Sequence, residues 1–207
     1  MWPSLGSMKP HQIIKLSILL FSLSAHSILL SQDSNARPMG GYFNVGLLGD
    51  FALRGYTSSA VDRDPRLGYQ VEIGNQYFAL PLSFSNGQSV QIFGVKPRGQ
   101  FLIPFVEGLF MAGPGVGLVY NYWHSSFNLL GDNITTNSSE LGAQLSVQVM
   151  IRPLPWMHVL ITPAAYDFNF WRHVSVGDSK SGLGNFSTTD SALGVIYTAS
   201  GSVGFNF

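Results

Sequence analysis

The most informative feature of this 207-residue sequence is how little it has of two things. It contains no cysteine, and only 11% of its residues are charged, whereas about a quarter are charged in an ordinary soluble domain. The missing cysteine excludes a disulfide framework, a thiolate metal site, a cysteine nucleophile and a lipoprotein anchor. The formal net charge is zero, which argues against electrostatic attraction to nucleic acid.

The sequence also lacks a hydrophobic run long enough for a membrane-spanning helix. An apolar run over residues 13–23 is accompanied by the basic residues Lys9 and Lys15 and is followed by small polar residues. This order is typical of a secretory signal peptide. A permanent membrane helix is the alternative, but serines interrupt the run, and a span needs about 20 apolar residues.

Two signal cleavage positions fit the small residues that follow the apolar run. We predict a signal peptide over residues 1–36 that is cleaved after Ala36, with cleavage after Ser27 as the alternative. The mature domain then covers residues 37–207, which is long enough for one domain.

Apolar and polar residues alternate over much of the mature chain, most regularly in "ELGAQLSVQVMIR" at 140–152. A period of two predicts strands, because successive strand side chains point to opposite faces. An exported chain without a helical span can cross a membrane only as a closed barrel. The sequence therefore predicts an all-β antiparallel transmembrane barrel of eight strands: 40–54, 66–77, 88–95, 98–106, 113–123, 140–152, 156–171 and 191–207.

The predicted connections between these strands alternate in length. Long polar stretches at 55–65, 124–140 and 172–190 are separated by short links such as 106–110 and 152–156. Long surface loops at one end and tight turns at the other are typical of outer-membrane barrels.

The interior of an eight-strand barrel is just wide enough to be filled by its own side chains. We predict ion pairs of Asp50 and Glu72 with Arg54, Arg98 or Arg152, because an unpaired buried charge is costly. This lumen polar network would plug the barrel; a gated pathway for small solutes is the alternative. Alternation places the following residues inward: Asn44, Asp50, Arg54, Gln70, Glu72, Gln76, Arg98, Gln100, Asn121, Gln144, Gln148 and Arg152.

The chain ends in "YTASGSVGFNF", which places Tyr197, Val203, Phe205 and Phe207 on one strand face. From about residue 37 to 207 the chain resembles small outer-membrane barrels of the OmpA/OmpX type. The resemblance implies that these four residues form the signal read by the barrel-assembly machinery, although Ser202 stands where that signal has a glycine.

The same resemblance implies a place in the bacterial outer membrane, with both termini in the periplasm and outer-membrane lipid as a partner. It implies no cofactor and no single activity, because this fold carries structural, adhesive, channel and enzymatic functions. We predict a structural or adhesive, binding role for the surface loops. The sequence does not identify their extracellular ligand.

An enzymatic alternative rests on His124, Ser126 and Glu140, which could form a base, a nucleophile and an acid. Their types resemble those of outer-membrane lipid A deacylases, whose His-x-Ser pair lies near the chain end rather than in mid-chain as here. Alternation places His124 and Ser126 on the lipid side with Tyr122, so we predict no enzyme. The sequence shows neither a phosphate-binding loop nor metal-ligand spacing.

A soluble secreted binder of the lipocalin type is the third interpretation. It would need a charged exterior, and the sequence has too few charges to supply one.

Overall fold

The computed structural model describes residues 40–54, 65–87, 90–105, 109–129, 132–178, 186–190 and 193–207. The predicted signal peptide and its cleavage positions lie outside these ranges. Within them, no helix is long and apolar enough to span a membrane.

The described residues form eleven strand segments that pair antiparallel in one sheet. In chain order they are β1 (Tyr42–Arg54), β2 (Arg66–Gly74), β3 (Phe78–Asn86), β4 (Val90–Val95), β5 (Arg98–Gln100), β6 (Ile103–Phe105), β7 (Phe110–Leu129), β8 (Asp132–Leu154), β9 (Met157–Asp178), β10 (Phe186–Asp190) and β11 (Gly194–Asn206).

These segments make eight barrel strands, because some of them lie in line. Segments β4, β5 and β6 follow one another along β7, and β10 and β11 follow one another along β9. The sheet closes where β1 pairs with β11, with Phe43 opposite Phe205 and Val45 opposite Val203. The predicted antiparallel eight-strand barrel, and the pairing of its last strand with its first, are confirmed.

The predicted division of the third and fourth strands is wrong. The third strand is β3, which the prediction left unassigned, and the predicted strands 88–95 and 98–106 form one barrel strand. The sequence Lys96-Pro97 resembles a turn signal. However, the Lys96 amide donates to the carbonyl of Pro81, and the Leu118 amide donates to the carbonyl of Pro97. Both neighbouring strands therefore continue to pair across this irregularity.

The predicted long loops at 124–140 and 172–190 are also largely wrong. Strand β7 continues to Leu129, and β8 begins at Asp132 directly opposite it. Strand β9 continues to Asp178, where the sequence predicted a loop. Strands of 20–23 residues are about twice the 9–11 residues that cross a bilayer. The parts of β7, β8 and β9 near Leu129, Asp132 and Asp178, together with β10, therefore form an extension beyond the strand length that a bilayer would need.

The outer face of the barrel is apolar and carries large exposed side chains. Leu67 is 77% exposed and Leu118 is 66% exposed. Among the strand residues whose side chains the structure describes, none that faces outward is Asp, Glu, Lys or Arg. An exposed apolar surface of this extent is unstable in water, so the outer face of this fold suits lipid.

Val147 and Gln148 test this assignment of faces, because they are neighbours on β8. Val147 is 47% exposed on the outer face, and Gln148 is fully buried inside. We expect Val147→Arg to destabilise the barrel by about 2–4 kcal/mol, since it places a charge near the bilayer midplane. Gln148→Leu should have a much smaller effect. Urea unfolding in lipid vesicles measures both, and equal tolerance of the two changes would contradict the assignment.

Candidate functional site in the barrel interior

Among the residues that the structure describes, four ion pairs lie inside the barrel. They join Arg66 to Asp50 at 2.5 Å, Lys96 to Asp167 at 2.8 Å, Arg98 to Glu72 at 2.8 Å and Arg172 to Glu140 at 2.6 Å. Each of these acids is matched by one base, so the four pairs carry no net charge. Pairing offsets the desolvation that makes a lone buried charge costly.

Glu72 is the centre of one hydrogen-bonded group inside the barrel, near the end where Tyr42 lies. Its carboxylate accepts hydrogen bonds from Tyr42 Oη (2.6 Å), Gln70 Nε2 (3.0 Å) and Arg98 Nη2 (2.8 and 3.0 Å). Gln100 in turn donates to Tyr42 Oη at 2.7 Å. These contacts join β1, β2 and β5, so the group reaches across the interior as well as along it.

The Lys96–Asp167 pair crosses the interior between strands that do not pair with each other. Lys96 follows β4, whereas Asp167 belongs to β9. Gln144 of β8 donates to the other carboxylate oxygen of Asp167 at 2.8 Å. Asp167 therefore uses both oxygens and holds two separate parts of the wall together.

Asp50 of β1 and Arg66 of β2 lie opposite each other, toward the end of the barrel that is farther from Tyr42. The Arg66 guanidinium also lies 4.9 Å from the centre of the Trp123 ring, a distance at which a cation is attracted to an aromatic face.

Two apolar clusters lie inside the barrel together with these polar groups. Trp123 belongs to one cluster, with Ala52, Val90, Ile92 and Ile196. The other consists of Tyr42, Ala79, Leu102, Met111, Met150 and Leu160.

The structure brings only part of the predicted lumen network together. Glu72 pairs with Arg98, one of the partners considered, but Asp50 pairs with Arg66. Arg152 instead donates to the carbonyl of Pro155 in the turn between β8 and β9. The side chain of Arg54 lies outside the described part of the structure.

Five charged residues of the interior were absent from the predicted inward set: Arg66, Lys96, Glu140, Asp167 and Arg172. Alternation from Leu67 would have placed Arg66 inward, and alternation from Tyr166 would have placed Asp167 inward. Alternation from the inward Arg98 and Gln100 would also have placed Lys96 inward, because the even positions from 90 to 100 are all buried.

The three residues of the enzymatic alternative lie on two faces of the sheet. Glu140 is buried inside and accepts hydrogen bonds from Arg172 (2.6 Å) and Asn169 (2.8 Å). His124 lies on the outer face, where its Nδ1 contacts Asn137 Oδ1 at 2.8 Å, and Ser126 is exposed on that face. The sheet therefore separates the acid from the other two groups. Among the described residues, no cluster of three or more His, Asp or Glu side chains could hold a metal ion.

The four residues of the predicted assembly signal lie on the outer face of β11 and at its end. Tyr197 packs beside Phe51, with ring centres 5.0 Å apart, and Phe205 stacks on Trp156 at 6.0 Å. Val203 and Phe207 are exposed, and Phe207 is 75% exposed. The Phe207 amide donates to the carbonyl of Gly41 at 2.9 Å, which ties the last residue to the start of β1.

No protein-family model and no curated protein matches this sequence. Among solved structures, the chain is similar to a major outer membrane protein from Thermus thermophilus. That match has a TM-score of 0.56 and 13% identity over 81% of this chain and 99% of the other. It is also similar to Neisserial surface protein A, with a TM-score of 0.50 and 14% identity over 83% of this chain and 99% of the other.

Identities this low show a shared fold and nothing finer. The predicted resemblance to small outer-membrane barrels is confirmed at that level.

Proposed function

We propose that this chain is a bacterial outer-membrane barrel that is not an enzyme, with a plugged interior and a structural or binding role. One observation carries the proposal: among the side chains that the structure describes, the outer face has no Asp, Glu, Lys or Arg, whereas the interior holds four ion pairs. A soluble protein has the opposite arrangement, because water favours charges outside and apolar groups inside. Lipid around the barrel reverses that preference.

The pairing gives the barrel its orientation. Tyr42 pairs with Asn206, so both ends of the described barrel lie at the same rim as the short turn between β8 and β9. In outer-membrane barrels the short turns face the periplasm. The extension formed by β7–β10 then faces outward, and it is the part that we propose to carry the structural or binding role.

The plug is supported by contacts that cross the interior. Lys96 reaches Asp167, Gln100 reaches Tyr42, and Arg98 reaches Glu72, each on a strand that is not its neighbour. An eight-strand barrel offers little more space than its own side chains fill. These contacts favour a closed interior over a solute pathway.

The outward-facing side chains of β11 support two proposed partners. Outer-membrane lipid would contact the apolar outer face, and the barrel-assembly machinery would read Tyr197, Val203, Phe205 and Phe207 during insertion. The separation of Glu140 from His124 and Ser126 opposes a deacylase function.

Conductance across planar lipid bilayers tests the plug. We expect the refolded protein to insert without opening ion channels, because the ion pairs and the two apolar clusters fill the interior. A porin refolded in the same detergent is the positive control for insertion and detection. Frequent, reproducible channel openings by the wild-type protein would contradict the plug.

A further inference from the structure

The outer face of the extension changes from aromatic to polar within two rows of paired residues. In the first row, Tyr120 of β7, Leu141 of β8 and Trp171 of β9 lie side by side. Aromatic rings of this kind concentrate at the interface between membrane and water. The rows beyond it should therefore lie at the level of the lipid headgroups.

The next two rows consist of residues that can form hydrogen bonds. None of them is Asp, Glu, Lys or Arg. One row contains Tyr122, Ser139, His173 and Thr189, and the following row contains His124, Asn137, Ser175 and Ser187.

Asn137 is held in a fixed orientation by its neighbours. Its Oδ1 accepts hydrogen bonds from Tyr122 Oη at 3.0 Å and from His124 Nδ1 at 2.8 Å. With Oδ1 engaged in both contacts, the amide nitrogen of Asn137 serves as a donor, and Nε2 of His124 is a further polar ring atom. A hydroxyl group can form hydrogen bonds with groups of this kind.

Trp171 and His173 lie on β9, next to the part of β8 that contains Asn137. Their rings stack with centres 6.3 Å apart and an angle of 15° between the planes. His173 Nδ1 lies 3.1 Å from Thr189 Oγ1, which fixes the imidazole. Aromatic faces with a few convergent polar groups are typical of small-molecule sites.

The charge of this face limits the ligand. Phosphate groups are bound mainly by Arg and Lys. Neither is found among the outward-facing side chains that the structure describes in these rows, and Arg66, Lys96, Arg98 and Arg172 all form ion pairs inside. An uncharged ligand with hydroxyl groups fits the side chains that are present.

We propose that Tyr122, His124, Asn137, Trp171 and His173 form an outer-face patch that binds the uncharged sugar headgroup of a membrane glycolipid. The stacked rings of Trp171 and His173 pack against the sugar, while Asn137 and His124 bind its hydroxyl groups. The proposal rests on the proposed membrane location, since the ligand is a lipid of the surrounding leaflet.

Native mass spectrometry of protein released from nanodiscs tests the patch. The nanodiscs contain phosphatidylcholine with a small fraction of either dihexosyl diacylglycerol or lipid A, and heat-modifiable migration verifies folding. We expect the wild-type protein to retain dihexosyl diacylglycerol in excess of its share of the lipid. Asn137→Ala should lower this retention by about threefold to tenfold, the effect of one lost hydrogen bond, and Trp171→Phe should also lower it.

Two matched substitutions serve as controls. Trp156→Phe makes the same change at the opposite rim, and Asn86→Ala removes an exposed amide from the end of β3; neither should lower retention. Equal retention by the Trp171 and Trp156 variants, or no excess of the neutral glycolipid, would refute the proposed binding patch but not the proposed membrane barrel. Preference for lipid A over the neutral glycolipid would refute the proposal that the ligand is uncharged. Failure of the protein to insert into any nanodisc would overturn the proposed function and the patch with it.

Discussion

Replacing Glu72 by alanine should destabilise the barrel more than any other single change considered in the interior. The substitution leaves Arg98, which is only 3% exposed, without its carboxylate. It also removes the acceptor for Tyr42 and Gln70. Breaking a buried ion pair in this way costs about 3–5 kcal/mol. Urea unfolding in lipid vesicles, followed by tryptophan fluorescence, measures the change.

Two further variants show whether the buried charge is the cause. Adding Arg98→Met to Glu72→Ala should recover much of the loss, because the uncompensated guanidinium is removed. Glu140→Ala should cost less than Glu72→Ala, since its partner Arg172 is 17% exposed and water can solvate it. If the double variant is no more stable than Glu72→Ala alone, the penalty does not come from the stranded charge.

Deleting Phe207 should sharply lower the amount of protein in the outer membrane while changing the stability of the folded barrel little. The ring is largely exposed at the rim, so its removal costs at most about 2–3 kcal/mol by area burial. The terminal aromatic would act instead during insertion, when the assembly machinery reads the last strand. Quantitative blotting of outer-membrane fractions, with urea unfolding of the refolded variant, separates the two effects.

Phe43→Ala is the matched control for this deletion. Phe43 lies opposite Phe205 at the same rim, so its loss removes a similar interfacial ring and leaves the C-terminus intact. We expect nearly normal cellular levels of this variant. Normal levels of the Phe207 deletion would refute recognition of the last residue, and a large loss of its stability in vitro would make Phe207 structural instead.

Alternation predicted the barrel because every described membrane strand obeys one physical constraint. Lipid accepts only apolar side chains outside, and a narrow interior accepts small or paired polar groups. Val147 and Gln148 show this in adjacent residues of β8. On β11, Phe205 is exposed on the outer face and Ser202 is buried inside. The faces could therefore be read from the sequence without any knowledge of the pairing.

The same reasoning could not predict the extension. In the extension both faces of β8 are polar, as in Thr135, Thr136, Asn137, Ser138 and Ser139. Nothing there alternates, and such a composition resembles a loop. The strand pairing of the extension is set by hydrogen bonds to neighbouring strands, for which the sequence gives no periodic signal.

The sequence also could not predict which buried charged residues pair with each other. Alternation shows that a residue faces inward, but the stagger of the strands decides which inward residues share a level. Lys96 and Asp167 are 71 residues apart and belong to strands that are not neighbours. Glu72 pairs with Arg98, one of its predicted partners, whereas Asp50 pairs with Arg66, which lies directly opposite it on β2.

Cell fractionation followed by electrophoresis with and without boiling is the most direct test of the central claim, that this chain is an outer-membrane barrel. We expect the protein to sediment with the outer membrane and to be released only by detergent. The unboiled protein should migrate differently from the boiled one, because a closed barrel resists unfolding. Recovery of the protein from the periplasm or the medium without detergent would contradict the account.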